Sequence, residues 1–180
     1  MLWEMAAGLN NEYRLLVAAG NQNIWAKYFR TEGKEMQWPD QPKVEPFLAK
    51  RKKKQKPRGD IEYVTWGAIV LNERAYQILR DTLLPFGQFL QLDCLGELGY
   101  FYNVTTLCSV VDYEKSAKTE GMVTKPIFQE NAISSGVRIF KDPLTAPVAI
   151  YLTDEAKELL ASLIAQNNLK GLYLVPAGSI

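Results

Sequence analysis

A chain of 180 residues that is 47% apolar and 23% charged has the composition of a soluble globular protein and the length for one good core. It contains no histidine, which removes Ser–His and Cys–His nucleophiles and the usual zinc sites, and lowers the expectation of catalysis. The net charge of +1 hides a split: residues 1–59 hold 12 Lys/Arg against 6 Asp/Glu, and residues 60–180 hold 9 against 14.

In chain order, Met1 to Asn11 reads as a loose, frayed extension. It lacks the basic start and long apolar run of a secretory signal, and no window approaches a membrane span, so a cytoplasmic location is expected. Tyr13 to Ala19 is a first strand and Ile24 to Phe29 a weaker one. A polar passage through Trp38, Pro39 and Pro42 precedes Val44 to Ala49, a short pairing segment. Arg51 to Asp60 has no apolar period and reads as an exposed loop. Ile61 to Leu71 is extended, with Gly67 interrupting it.

Ile69 to Leu92 (IVLNERAYQILRDTLLPFGQFLQL) and Ala149 to Val175 (AIYLTDEAKELLASLIAQNNLKGLYLV) then state one pattern twice: strand, polar cap, amphipathic helix, glycine, strand. Leu71, Asn72, Ala75, Ile78 and Leu79 line up with Leu152, Thr153, Ala156, Leu159 and Leu160. Asn72 and Thr153 are good N-caps, and Glu73, Asp154 and Glu155 place negative charge at the positive end of each helix. Leu71, Ala75, Ile78, Leu79 and Leu83 form one apolar stripe; Leu152, Ala156, Leu159, Leu160, Leu163 and Ile164 form the other. Pro85 stops the first helix, and Gly87 and Gly171 let the chain turn back. A duplicated half-domain, two helices on one sheet, and a chance likeness of ordinary units all fit this pattern.

Between the copies, Tyr100 to Val111 is the strongest strand, expected to hairpin with Phe86 to Leu92 and to have one drier face carrying Tyr100, Tyr102, Val104, Cys108 and Val110. Asp112 to Gly121 is a charged connection, and Met122 to Phe128 and Val137 to Lys141 are further strands. The fold class is therefore α+β, a mixed, largely antiparallel sheet with two principal amphipathic helices, two related strand–helix–strand units being one of the readings that the repeated pattern allows. Cys94 and Cys108 lie in apolar, strand-like surroundings without a C-x-x-C motif and read as small core residues.

The loudest polar signal is the basic run Lys50, Arg51, Lys52, Lys53, Lys54, Lys56 and Arg58. A solvated loop is the plain reading; an acidic protein partner comes next. Nucleic acid ranks third, because no stacking aromatics interleave the run. Trp25, Tyr28, Trp38 and Trp66 are expected in the core more than at an interface, and Trp38, before a proline in a polar loop, is the best candidate for a binding anchor. The candidate partner-binding set is thus Trp38, Lys52, Lys53, Lys54, Lys56 and Arg58. The carboxylate pairs Asp93/Glu97, Asp112/Glu114 and Asp154/Glu155 leave a carboxylate-dependent hydrolase as a distant alternative. No catalytic, metal or cofactor motif is present, and no catalytic residue, metal or cofactor is assigned.

Several pieces occur in an order that resembles the bacterial immunity proteins of the MXAN-type, or immunity-eleven, family. They are Asp60-Ile61 after the basic loop, Val70 to Ala75 opening a helix, Tyr102-Asn103-Val104 in a strand, and Val111 to Ser116. Ile139-Phe140-Lys141, Ile150 to Asp154 and Gly171 to Pro176 complete the series. The likeness covers about two thirds of the chain, residues 60–176 of a single domain 1–180. Residues 1–59, with the basic loop at 50–58, are a variable part that matches only in the strand Tyr13 to Val17. The resemblance implies a non-enzymatic antidote that binds a cognate secreted toxin, encoded by a neighbouring gene, in stoichiometric amounts. The Asp112 to Ser116 piece is expected to be a structural turn in which Asp112 or Ser116 caps local amides.

Overall fold

The two strand–helix–strand units fold to one plan. A computed structural model describes residues 1–6, 12–20, 28–47, 56–65, 67–129 and 132–178. In the first unit β5 (Ala68–Leu71), helix α1 (Glu73–Leu83) and β6 (Gly87–Cys94) follow one another, and β7 (Glu97–Val104) pairs antiparallel with both strands from a position between them. In the second, β11 (Tyr151–Leu152), helix α2 (Asp154–Gln166) and β12 (Tyr173–Gly178) are arranged around β1 (Leu2–Ala6) in the same way. Each unit begins with an antiparallel hairpin partner: β4 (Ile61–Thr65) sets Ile61 against Leu71, and β10 (Ile139–Phe140) sets Ile139 against Leu152.

The correspondence extends to side chains. Asn72 caps α1 by accepting from the Ala75 amide at 2.8 Å, and Thr153 caps α2 by accepting from Ala156 at 3.4 Å. The amides of these two caps donate to the carbonyls of Asp60 and Arg138, at 2.9 and 3.0 Å. Asp60 then pairs with Arg74 at 3.4 Å, and Arg138 with Glu155 at 2.9 Å, the same ion pair with its charges exchanged. On the central strands, the Tyr100 hydroxyl donates to Glu73 at 2.6 Å and the Trp3 indole N–H to Asp154 at 2.8 Å. One turn along each helix, Tyr76 stacks on Tyr100 with ring centroids 3.8 Å apart, and the Lys157 ammonium lies 4.6 Å over the Trp3 ring. In the first unit the central strand arrives by a tight hairpin; in the second it comes from the N-terminal residues.

This corrects the expectation of a frayed Met1 to Asn11. Leu2–Ala6 is an inner strand of the four-stranded sheet β10-β11-β1-β12, with Leu2 and Met5 buried. Five residues are too few to display a period, and Glu4 masks the apolar content. Residues 7–11 lie outside the described residues.

The larger sheet runs β2-β3-β6-β7-β5-β4, where β2 is Leu16–Ala18 and β3 is Lys43–Pro46. A parallel bridge between Leu15 and Tyr63 joins its two outer strands, rolling the sheet into a barrel. Alternate residues of all six strands, among them Leu16, Val44, Val64, Val70, Leu92 and Phe101, fill the interior with Tyr28 and Phe29. The opposite face of the barrel, including Ile61, Ile69, Leu71, Tyr102 and Val104, shares the main core with Ala75, Leu79 and Leu83 of α1, Ala156 and Leu160 of α2, and Met5, Ile139 and Leu152 of the smaller sheet. Each such buried leucine contributes roughly 1.5–3 kcal/mol of transfer free energy. A third cluster, around Leu2, Val110, Phe128, Phe140 and Tyr151, covers the far side of the four-stranded sheet.

The chain is therefore an α+β protein with largely antiparallel sheets, as composition and pattern imply. Details differ. The strand expected over Tyr100 to Val111 ends at Val104, because its partner β6 begins only at Gly87, after the single 3-10 turn Leu84–Phe86. The amides of Thr105 and Thr106 instead converge on the Phe86 carbonyl. Both faces of β7 are dry over Gly99 to Val104, since one lines the barrel and the other meets the helices. Leu159 lies off the α2 stripe and is exposed. Gly87 is extended rather than turned; a Cβ there would sit 2.4 Å from the Asn103 carbonyl oxygen, so close packing demands the glycine. Gly171 does need its left-handed φ of +102°, which lets the chain after α2 press on β4, where a Cβ would meet the Ile61 carbonyl oxygen at 1.9 Å. The charged connection after Asp112 holds a small hairpin, β8 (Ala117–Thr119) with β9 (Met122–Lys125). Asp112 and Ser116 form the expected turn, Asp112 accepting from the Lys115 amide at 3.1 Å and Ser116 Oγ from Ile127 at 2.9 Å.

Candidate functional site

The basic run leaves the barrel after β3 and returns at the start of β4, so both of its ends are rooted on one rim. β3 runs parallel to β6, with Val44 beside Cys94. The residues that follow each strand, Phe47 and the Leu95-Gly96 turn, therefore emerge at the same end of the barrel. Phe47 is 55% exposed, Leu95 64% and Leu98 38%. Leu95 adopts φ +57° ahead of Gly96 at +86°, a hairpin turn that glycine, asparagine or aspartate would enter more easily. The Asp93 carboxylate braces the turn by accepting from the Gly96 amide at 2.5 Å.

Beneath this rim lies an ionic cluster. Glu62 is 5% exposed and receives both carboxylate hydrogen bonds from Arg14, one from Nε and one from a terminal nitrogen at 3.1 Å. Arg58 stands 3.8 Å from the same carboxylate and hydrogen-bonds through its other arm to Glu97, on the hairpin next to the turn. The Arg14 amide also donates to the Pro57 carbonyl at 3.0 Å. The returning end of the basic loop is thus pinned by a main-chain bond and two guanidinium–carboxylate pairs. Hydrogen bonding to Glu62 holds the Arg14 guanidinium above its usual range, and the Arg58 contact draws the Glu97 carboxyl below its own. Burial pushes the Cys94 thiol up, away from the thiolate form.

The sequence-derived candidates divide accordingly. Arg58 lies at this rim and Lys56 is half-buried beside it in the chain. Lys52, Lys53 and Lys54 lie outside the described residues, as do Trp25 and Trp66. Trp38 is half-buried in the barrel, in edge and tilted contacts with Tyr28, Phe29 and Phe101, and its indole N–H donates to the Tyr28 carbonyl at 3.1 Å. Phe47, Leu95 and Leu98 belong to the rim but were missed; an exposed leucine in a tight turn carries no periodic signal. The carboxylate pairs do not face each other across a cleft: Asp93 and Glu97 serve the hairpin and Arg58, while Asp154 and Glu155 serve Trp3 and Arg138. Both cysteines are buried.

A second polar feature was invisible from sequence. Lys141 is fully buried, and its ammonium donates to Thr31 Oγ1 at 2.7 Å and to the carbonyls of Gly67 and Ala146 at 3.1 and 2.5 Å. Burial pulls it down to about 7, while three oxygen acceptors match the three N–H bonds of the charged form. It ties three separate segments together.

Among the described residues no group of three or more Cys, Asp or Glu side chains is placed to hold a metal ion, and no helix is long and apolar enough to cross a membrane. The rim carries carboxylate-paired guanidinium groups and exposed apolar side chains. No model of a known protein family matches the chain, and no curated protein matches it. The immunity-eleven likeness rests on the short ordered motifs alone.

Proposed function

We propose that the protein is an immunity protein: a non-enzymatic cytoplasmic binder that neutralises a cognate bacterial toxin by stoichiometric attachment through the barrel rim. The observation that carries this reading is that the barrel end bearing the exposed Phe47, Leu95 and Leu98 also bears the carboxylate-paired Arg58 at the returning end of the basic loop. Apolar anchors ringed by charge on a rigid frame suit protein recognition, since the anchors supply affinity and the charge speeds encounter. The ordered motifs that resemble the immunity-eleven family support the same reading from sequence.

The test is co-expression with the product of the neighbouring gene. Growth arrest by that product alone, relief by this chain, and co-elution of the two in equal amounts support the proposal. Full toxicity in the presence of the chain, or no co-elution, would refute it. Salt-sensitive retention on duplex DNA without any protein partner would favour the nucleic-acid reading.

A further inference from the structure

We infer that Lys141 and the Thr31 hydroxyl form a two-state proton junction: the amine gains or loses its proton in place, the hydroxyl reverses from acceptor to donor, and the seam between the barrel and the smaller sheet stays closed in both states. The inference is independent of what the rim binds. Thr31, between β2 and β3, and Gly67, between β4 and β5, belong to the barrel, whereas Lys141 follows β10 and Ala146 precedes β11. The Lys141 main chain is fixed on both sides: its amide donates to the Thr106 carbonyl and its carbonyl accepts from the Cys108 amide, both at 2.9 Å. Close packing holds the side chain. Lys141 and Thr31 are both fully buried. Gly67 adopts φ +68°, and a Cβ there would stand 2.8 Å from the Val148 carbonyl carbon and 3.2 Å from the Lys141 nitrogen.

Hydrogen-bond counting then gives two complete arrangements. In the first the ammonium spends its three N–H bonds on Thr31 Oγ1 and the carbonyls of Gly67 and Ala146, and the Thr31 hydroxyl donates to the Gly67 carbonyl at 3.4 Å. In the second the neutral amine keeps both carbonyls with its two N–H bonds and turns its lone pair to Thr31, whose hydroxyl, 2.7 Å away, becomes the donor. A hydroxyl serves both states, whereas a third carbonyl would confront the lone pair with another. The proton that distinguishes them passes to bulk water in brief local openings. Burial pulls the amine down to about 7, so both forms are populated at neutral pH. Among the described residues, the titratable groups on the surrounding elements are committed elsewhere. Asp142 accepts from the amides of Val110, Val111 and Leu144, Arg30 and Glu32 pair with each other on the surface, and Glu62 holds Arg14. Tyr63 belongs to the main core, the Tyr151 hydroxyl pairs with Thr145, and the Cys108 thiol donates to the Ala132 carbonyl.

Nitrogen-15 at lysine Nζ in the full-length chain, titrated from pH 5.5 to 9.5, reads the charge of Lys141 directly, and Lys141→Met assigns its signal. The signal should move through one transition centred at about 7. The Val148 and Ala149 amides donate to the Thr145 carbonyl in the loop that carries Ala146, and their exchange protection should hold within about twofold across that transition. Thr31→Ser keeps the hydroxyl and should keep the midpoint. Thr31→Val takes a charge-assisted bond from the ammonium but only a neutral one from the amine, so proton affinity should fall about tenfold, or one pH unit. A lysine that stays charged to pH 9.5, protection that collapses as it deprotonates, or equal midpoints in the two variants would overturn the inference. If the valine variant does not fold, the native midpoint and the protection across it still decide.

Discussion

Replacing Lys141 by Met tests how the protein tolerates a fully buried ammonium at the junction of three segments. Met has nearly the same length and volume, so packing around residue 141 is preserved while the charge disappears. Burial lowers this lysine from 10.5 to about 7 in the folded chain. Between those values the unfolded state binds more protons than the folded one, so stability rises with pH across that window. With 1.36 kcal/mol per pH unit as the limiting slope, the gain from pH 7 to 9.5 is at most about 3 kcal/mol. The three acceptors on Lys141 favour the ammonium and reduce it. Below pH 7 both states are protonated and the contribution is flat. The substitution also removes the ammonium donor from Thr31 Oγ1 and the carbonyls of Gly67 and Ala146; Thr31 Oγ1 still donates to the Gly67 carbonyl at 3.4 Å, so the Ala146 carbonyl bears the main loss, roughly 1–3 kcal/mol for a buried group left unpaired. Removal of the buried charge and loss of these bonds oppose each other, so the pH slope is the decisive readout. Urea unfolding of both proteins at pH 6, 7, 8 and 9.5 isolates it. The limit of 9.5 avoids Tyr63, Tyr102 and Tyr151, whose hydroxyls burial pushes up and which remove stability above pH 10. A native-minus-variant difference that rises with pH is expected; parallel curves would refute the placement of Lys141.

Three further outcomes follow from the packing and the rim. Met5→Ala should cost about 2–5 kcal/mol in urea unfolding, because Met5 is buried in the main core; a frayed N-terminal arm would lose nothing. Arg14→Met should cost about 3–5 kcal/mol by leaving buried Glu62 with Arg58 alone at 3.8 Å, and adding Glu62→Leu should recover most of the loss, as a thermal-melt series would show. Changing Lys52, Lys53 and Lys54 together to Glu should slow toxin association most at low salt; stopped-flow rates unchanged at every ionic strength would take the loop out of the interface.

The helices were legible because each declares itself locally: a capping side chain, acidic residues in the first turn and an apolar stripe of sufficient length. The paired units were legible for the same reason, down to the alignment of Asn72 with Thr153. What could not be read was the partner of each strand. Nothing local in Leu2–Ala6 says that it completes a unit whose helix begins at Asp154, and nothing in Leu15 says that it meets Tyr63 to close a barrel. The site divided along the same line. The positive run announced itself by composition, whereas Glu97 became notable only when the hairpin placed it beside Arg58, and Leu95 and Leu98 only when they proved exposed at the same end of the barrel. Trp38 reads as an anchor from its loop, yet its ring packs against Phe29 and Phe101 inside the barrel, a contact set by residues far apart in the chain.

Calorimetric titration of the neighbouring gene's product into this chain, run in parallel with a Leu95→Asp variant, bears most directly on the proposal that the protein works by covering another. One-to-one binding by the native chain, weakened at least tenfold in the variant with its fold intact by circular dichroism, is the expected result. No heat of binding, or identical affinity for native and variant, would contradict it.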